Sequence, residues 1–215
     1  MPTPETSSTT DLESNPEPSG LNPDGSVMSP IHLMNWVQHH KADFKPPVGN
    51  KYLYSGTDFF AMVIGGPNAR NDFHRTNSEE FFYQIKGDIV LKTYEEGKIV
   101  DHVIREGETF FIPPNVAHAP CRPPETLGLV IERRRPEGEI EHQLFYCEQC
   151  HALVHDQAFD CADIVHHFRK AMEEFWADPS KNIDVKNSLK RNWRDSSSRL
   201  LAVVGDACDR RKTIE

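Results

Sequence analysis

Two short segments of the 215-residue chain carry side chains that could hold a metal ion. The segment DFHRTNSEEFFY contains His74 and the adjacent carboxylates Glu79 and Glu80, and the segment GETFFIPPNVAHAP contains His118. Two imidazoles and one carboxylate can occupy one face of a cation and leave its other positions open, as in sites for Fe(II) and O2 chemistry. A bound cation would also offset the free-energy cost of burying a carboxylate beside an aromatic strand.

Short β segments would have to position these two motifs. Between residues 51 and 133, turn signals such as GGPN, KGD and PPN separate short apolar runs with no helical pattern between them. Regular short strands of this kind predict an antiparallel sandwich or barrel. The runs are YLYSG, FFAMVIGG, EFFYQIKG, IVLKTYEEG, KIVDHVI, ETFFIPP and LGLVIER.

Composition divides the chain into four parts. Residues 1–28 are rich in Pro, Ser, Thr, Asn and Glu, so we expect a disordered tail with too little apolar surface to offset the entropy of ordering. Residues 29–136 are predicted to form the barrel with an N-terminal helix. Residues 137–179 would form a loop with a C-x-x-C sequence and a helix packed on the barrel, and the order of the tail at 180–215 is left open.

Two helices are predicted to flank the strands. The first would use Ser29 as its N-cap and Pro30 as its first helical residue, with Ile31 and Met34 on its apolar side. The second lies in DCADIVHHFRKAMEEFWADP, whose apolar residues recur at helical spacing. Before it, FYCEQCHALVH is predicted to form a small hairpin or loop.

Charge and cysteine content exclude several classes of protein. The net charge of −9 makes the chain a poor match for nucleic acid or an anionic membrane. No apolar run approaches the roughly 20 residues needed to span a bilayer, and the N-terminus lacks the features of a secretory signal. Five cysteines, an odd number, suggest no disulfide framework. We therefore expect a cytoplasmic protein.

The metal motifs resemble those of the cupin superfamily. In the first cupin motif six residues separate the glutamate from a glycine, and Glu80 stands at that distance from Gly87, whereas Glu79 does not. The second motif is matched by Gly107, Pro113 and His118. The resemblance implies a mainly β fold, a double-stranded β-helix or jelly-roll barrel. It also favours a metal site for His74, Glu80 and His118. We expect other histidines to be core or surface residues with satisfied hydrogen bonds and not metal ligands, namely His39, His40, His102, His142, His166 and His167.

Departures from the general cupin pattern point to one family. The first motif has His74 alone where most cupins have His-x-His, and Asn115 replaces a glycine of the second motif. From about Ile31 to Trp176 the chain resembles the 3-hydroxyanthranilate 3,4-dioxygenase family, in which the single histidine is normal. The similar segments are KPPVGN, IGGPNARNDFH, EEFFYQIKG, EGETFFIPPNVAHAPCRP, LVIERRRP and FYCEQCHALVH.

The resemblance implies that His74, Glu80 and His118 hold Fe(II), with Glu80 also near the substrate. The family's substrate has a carboxylate, which the planar fork of arginine binds better than lysine does. Arg70 lies four residues before His74, and Arg122 lies four after His118. Both correspond to the family's carboxylate-binding arginines.

We also predict roles for Glu132, for Asn50 and for the arginines at 133–135. Alternation along LGLVIE places Val130 and Glu132 on one strand face, so Glu132 either lines the cavity or faces solvent. The resemblance favours the cavity, where Glu132 would be catalytic and accept a proton from the substrate's hydroxyl or amine. Asn50 and Arg70 correspond to residues near bound O2. The arginines at 133–135 are expected to form a solvated strand end.

The implied reaction opens the ring of 3-hydroxyanthranilate with O2 to 2-amino-3-carboxymuconate semialdehyde, which leads to quinolinate and to NAD from tryptophan through kynurenine. Two other interpretations stay open. One is another Fe or Mn cupin dioxygenase or isomerase acting on a small acid, and the other is a non-catalytic cupin binding module.

The binding-module interpretation relies on Cys147 and Cys150, whose C-x-x-C spacing is half of a tetrahedral sulfur site. Many relatives carry a second C-x-x-C further along the chain, and this chain does not. We therefore expect no second metal at Cys147 and Cys150. The resemblance also allows a homodimer.

Overall fold

The computed structural model describes residues 19–44, 49–68, 72–147 and 150–178. Residues 1–18 of the tail predicted at 1–28, the tail predicted at 180–215, and Arg70 lie outside these ranges. The remaining part of the first tail, 19–28, is described and contains an isolated antiparallel bridge between Leu21 and Val27. In chain order the elements are α1 Leu33–His39, a 3-10 helix Lys41–Asp43, β1 Gly49–Ser55, β2 Phe59–Gly65, β3 Asp72–Arg75, β4 Glu80–Lys86, β5 Ile89–Glu95, β6 Lys98–Ile104, β7 Thr109–Ile112, β8 His118–Cys121, β9 Leu127–Arg133, β10 Ile140–Tyr146, β11 Leu153–Asp160 and α2 Ile164–Ala177.

The strands form two antiparallel sheets. One has the order β1-β2-β9-β4-β7, and the other has the order β11-β10-β3-β8-β5-β6. Because chain neighbours are often separated within the sheets, the strands wind as a jelly roll, and the predicted double-stranded β-helix is confirmed. All seven predicted runs are strands. The predicted small hairpin is the β10–β11 pair, and β3 and β8 are additional four-residue strands.

The core lies between the two sheets because alternate strand residues point inward. On β4 the buried positions are Glu80, Phe82 and Gln84, whereas Phe81 and Tyr83 are exposed. A central cluster joins both sheets, and each large apolar side chain in it contributes about 1.5–3 kcal/mol by leaving water. Its members are Phe82, Ile89, Leu91, Ile104, Ile112 and Val130.

The first helix starts later than predicted. Its N-cap is His32, whose Nδ1 accepts a hydrogen bond from the backbone N–H of Asn35 at 3.4 Å. An imidazole therefore performs the capping that was assigned to Ser29, and Pro30 precedes the helix. The predicted apolar side is also partly wrong, because Met34 is 41% exposed while Trp36 packs on the barrel.

The C-terminal helix α2 is confirmed and packs on the six-stranded sheet. Phe175 is fully buried and stacks on Phe145 of β10, with ring centroids 3.9 Å apart. About two turns earlier, Phe168 joins a cluster with Phe60 and Met62 of β2. The helix therefore covers one end of the barrel. Within the described residues, no helix has the length and apolarity to cross a membrane.

Candidate metal centre and substrate cavity

Three strands bring the predicted metal ligands together. His74 on β3 and His118 on β8 are cross-strand partners in one sheet, and Glu80 begins β4 in the other sheet. The Oε1 atom of Glu80 lies 3.1 Å from Nδ1 of His74, and its Oε2 atom lies 3.2 Å from Nε2 of His118. One ligand atom from each residue lies within 4.8 Å of the others. Glu79 is exposed, since neighbouring strand residues point to opposite faces.

The hydrogen bonds of both imidazoles fit a bound cation. The Nδ1–H of His118 donates to the carbonyl oxygen of Val116 at 3.0 Å, and the Nε2–H of His74 donates to Oε2 of Glu141 at 2.5 Å. In each neutral ring the remaining nitrogen then turns a lone pair toward Glu80. The free ring nitrogens and the carboxylate oxygens are then all hydrogen-bond acceptors that point at one another. Oε1 of Glu80 is buried without a hydrogen bond from any described residue. A cation between them would satisfy all three side chains.

The charges of the cluster also favour a bound cation. Burial alone would lower the pKa of His74, but the carboxylates of Glu141 and Glu80 outweigh it and raise that pKa to about 10. Burial alone would raise the pKa of Glu80, but His118 and His74 hold it well below its usual range. The site therefore attracts positive charge. A divalent cation can supply that charge in place of the proton on His74.

A cavity opens beside the metal ligands. Its wall includes Glu132, which lies opposite Glu80 in the β4–β9 register. The structure thus places Glu132 in the cavity and not in solvent. The other lining residues are Gly49, Asn50, Met62, Ile64, Asn68, His74, Glu80, Phe82, His118, Pro120, Val130, Ile164, Phe168 and Arg169.

Glu132 has the properties of a proton acceptor near neutral pH. Burial and the charge of Glu80 raise its pKa to about 7, although Arg135 acts in the opposite direction. Its Oε2 accepts a hydrogen bond from Nη2 of Arg135 at 2.6 Å. A carboxyl with this pKa can exchange a proton with a bound molecule at physiological pH.

Asn50, the second residue of β1, lies in the cavity wall. Its Oδ1 atom is buried and accepts no hydrogen bond from a described residue, and its Nδ2 atom lies 4.0 Å from Sδ of Met62. An amide in this state can bind a polar ligand atom.

Arg122 is placed differently from the expectation of a cavity arginine. Its side chain is 1% exposed, and Nη1 donates to Oε1 of Gln84 at 3.2 Å. Gly128 leaves room for the guanidinium, because a Cβ atom there would lie 2.6 Å from Nη1. Arg122 is not among the described residues of the cavity wall. Its role in substrate binding stays a prediction, as does that of Arg70.

Two residues of the site were missed by the sequence analysis. Arg135 was expected in a solvated strand end, but its side chain is 1% exposed and pairs with Glu132 and Glu141. The expectation was wrong because the guanidinium of Arg135, two residues after β9, lies between two buried carboxylates that hold it away from solvent. Glu141 was not considered because its segment was not read as a strand. Its alternation with the buried residues Gln143 and Phe145 is the signal that could have identified it.

The C-x-x-C segment is only partly described. Cys147 is half-buried, Cys150 is exposed, and the two residues between them lie outside the described ranges. Nδ1 of the neighbouring His151 accepts a hydrogen bond from the backbone N–H of Ile99 at 3.1 Å. The expected lack of a second metal stays a prediction.

Known proteins resemble the chain over most of its length. It is 46% identical over 154 residues to the 3-hydroxyanthranilate 3,4-dioxygenase of Shewanella woodyi, covering 71% of this chain and 82% of that relative. It is 37% identical over 167 residues to the enzyme of the same name from Neurospora crassa, covering 78% and 92%.

A solved structure of a cupin-2 domain protein from Shewanella frigidimarina matches with a TM-score of 0.41 and 16% identity, covering 48% of this chain and 94% of that one. The model of the 3-hydroxyanthranilic acid dioxygenase family matches residues 26–176. With that match and relatives of 37–46% identity, the chain belongs to the 3-hydroxyanthranilic acid dioxygenase family.

Proposed function

We propose that this protein is an Fe(II)-dependent dioxygenase that opens the ring of 3-hydroxyanthranilate with O2. The observation that carries the proposal is the buried cluster of His74, Glu80 and His118 beside the titratable Glu132, in a chain of this family. Two histidines and one carboxylate suit Fe(II) and leave coordination positions open. When bound there, Fe(II) supplies the positions at which substrate and O2 meet and electrons pass between them.

The reaction balances as one substrate plus one O2. The bond between the hydroxyl-bearing carbon and its hydrogen-bearing neighbour breaks, and each of these carbons gains one oxygen atom. The product is 2-amino-3-carboxymuconate semialdehyde, which closes to quinolinate, a precursor of NAD. Glu132 accepts the proton of the substrate hydroxyl as the substrate binds, since its carboxylate reaches into the cavity and its pKa is about 7.

Other residues orient the reactants. Asn50 offers a buried amide oxygen without a described hydrogen bond, which can accept from an O–H or N–H group of the substrate, and its Nδ2 group is the donor that suits bound O2. We assign binding of the substrate carboxylate to Arg70 and Arg122, because a guanidinium group can donate two parallel hydrogen bonds to one carboxylate. Phe168 and Ile164 of α2 provide an apolar wall for the aromatic ring.

Reconstitution with Fe(II) tests the function. The purified protein is loaded without oxygen, mixed with 3-hydroxyanthranilate and then exposed to O2. We expect uptake of one O2 per substrate and the absorbance of the semialdehyde, and His118→Ala should lose both together with iron. Iron-loaded protein that consumes no O2 would contradict the proposal and favour another small acid or a binding role.

We also propose a cytoplasmic homodimer without a nucleic-acid partner. The net charge of −9 supports the last point. The outer face of the five-stranded sheet exposes Phe111, Phe81 and Tyr83 at 57%, 37% and 38%, and such an aromatic surface is typical of a contact between proteins. Light scattering should give twice the chain mass, and Phe111→Lys should shift it toward one chain.

A further inference from the structure

A chain of buried side chains runs behind the metal cluster. His74 donates to Oε2 of Glu141 at 2.5 Å, the other oxygen of Glu141 accepts from Nε of Arg135, and Nη2 of Arg135 donates to Glu132 at 2.6 Å. The side chains of Arg135, Glu141 and Glu132 are 1%, 0% and 4% exposed. This series of side chains begins at His74, a proposed metal ligand, and ends at Glu132, the proposed proton acceptor.

The geometry requires a guanidinium at the centre. Arg135 uses separate nitrogens for the two carboxylates, and its Nη1 donates to the carbonyl oxygen of Arg133 at 3.0 Å. Its Cζ atom lies 5.6 Å from the ring centroid of Phe60, so an aromatic side chain lies against one side of it. A lysine ammonium is a single point on a flexible chain and cannot hold two carboxylates in fixed directions.

Charge also requires Arg135. Glu80, Glu132 and Glu141 are three buried carboxylates around one small volume. A divalent cation at the His74 cluster balances two of these charges, and Arg135 balances the third. Without Arg135, one carboxylate would be left buried and uncompensated, which is strongly unfavourable.

We propose that Arg135 is a positioning residue that couples the two halves of the active site, aiming Glu132 into the cavity and, through Glu141, holding His74 in the orientation that binds metal. The metal half of this inference needs only a bound divalent cation, and the half that concerns Glu132 rests on the proposed function. A carboxylate that orients a ligand histidine raises its basicity and fixes its tautomer.

The test compares Arg135→Gln and Arg135→Lys with Arg133→Gln, whose side chain is 41% exposed in an ion pair with Glu139. The Kd for Fe(II) is measured without oxygen, and kcat and KM for 3-hydroxyanthranilate are measured on saturated protein. Arg135→Gln should raise the Kd about 10–100-fold and lower kcat at least about tenfold. Arg135→Lys keeps the charge and should show smaller losses of both kinds, while Arg133→Gln resembles the wild type.

A double variant separates positioning from general destabilisation. Glu141→Gln should raise the Kd for Fe(II), and adding Arg135→Gln to it should raise the Kd no further, because the effect passes through Glu141. Additive losses, or wild-type Kd and kcat in Arg135→Lys and Arg135→Gln, would overturn the proposal. If wild-type protein binds Fe(II) but does not consume 3-hydroxyanthranilate, the proposed function fails, while the Kd series still decides the metal half.

Discussion

Glu80 is a carboxylate with 3% side-chain exposure placed between two imidazoles. Such a group is unfavourable in a core unless a cation accompanies it. In their neutral forms, hydrogen-bonded to Val116 and Glu141, the two histidines direct lone pairs at Glu80, and this arrangement suits a cation bound between the three side chains.

Substitution of the two neighbouring glutamates should give opposite results. Glu80→Gln removes the charged ligand, and we expect Fe(II) binding and activity to be lost. Glu79→Gln is the matched control, because Glu79 is exposed on the other strand face and should leave both unchanged. Metal content after dialysis, measured by atomic absorption, decides between them. Loss of iron in Glu79→Gln but not in Glu80→Gln would reverse the assignment.

Glu132 should control the acid side of the pH profile. Without metal, burial and the charge of Glu80 raise its pKa to about 7. Proton acceptance requires the carboxylate, so kcat/KM of the iron-loaded protein should fall on the acid side of the profile, with a midpoint below about 7 because bound Fe(II) offsets the charge of Glu80. Glu132→Gln should lower kcat about 10²–10⁴-fold, abolish this pH dependence and leave iron in place. Glu139→Gln serves as the control. A Glu132→Gln protein with a normal kcat would exclude a role in proton transfer.

Arg122 should contribute to substrate affinity and not to iron binding. Arg122→Ala removes a charge-assisted bond to the substrate carboxylate, so binding should weaken by about 1.5–3 kcal/mol or more. Anaerobic titration of the iron-loaded protein with 3-hydroxyanthranilate measures the change. Loss of iron with normal substrate affinity would instead mean that Arg122 acts through its bond to Gln84.

The elements differ in how they support the site. Strands β3, β8 and β4 hold the proposed metal ligands rigidly, because each of these strands is hydrogen-bonded to a neighbouring strand on both sides. Helix α2 lines the cavity with Phe168, whose ring lies nearly perpendicular to that of His74, with 5.3 Å between the ring centroids. The helix is attached to the sheet mainly through side-chain packing, so its docking depends on a few aromatic residues.

Removal of one such anchor should be costly. Phe175 is 0% exposed and stacks on Phe145, and Phe175→Ala should destabilise the protein by about 3–5 kcal/mol. The Tm should fall by about 6–20 °C for a chain of this size. Glu173→Ala on the exposed face of α2 is the control and should change the Tm little. An unchanged Tm for Phe175→Ala would mean that the helix does not contribute to the core.

In the protein as a whole, metal binding and stability are linked through pH. Without metal, the pKa of His74 rises from an ordinary 6.5 to about 10, so the stabilisation from its proton is present below 6.5 and is lost as the pH rises toward 10. The pKa of Glu132 rises from 4.5 to about 7, which also reduces stability as the pH rises through that range. Glu141, with a pKa lowered to about 2, adds stability that is lost only below about pH 4.5.

The metal-free protein should therefore have a lower Tm at pH 9 than at pH 6. A bound divalent cation replaces the proton on His74 and offsets the carboxylates, so the metal-loaded protein should lose this decline. Thermal melts at the two pH values, with metal and with a chelator, measure the difference. A metal-free Tm that rises between pH 6 and pH 9 would contradict the charge distribution described for the site.

Local patterns in the sequence were enough to predict seven strands and the second helix, and the motif spacing singled out His74, Glu80 and His118, which the fold brings together. Alternation, turn residues and the separation of Glu80 from Gly87 are local properties, and each reports a backbone geometry that does not depend on distant residues. Local preference was misleading at Ser29, a good N-cap by residue type, because the ring of His32 performs the capping.

Long-range packing settled the remainder. Arg135 and Glu141 look like surface charges in sequence. They become parts of the site only when β10 pairs with β3 and the guanidinium of Arg135 meets the carboxylate of Glu141. Burial and partner charges come from residues far apart in the chain, so no local pattern could reveal them. For the same reason the pKa of Glu132, set by burial and by the charges of Glu80 and Arg135, belongs to the folded molecule and not to the strand that carries it.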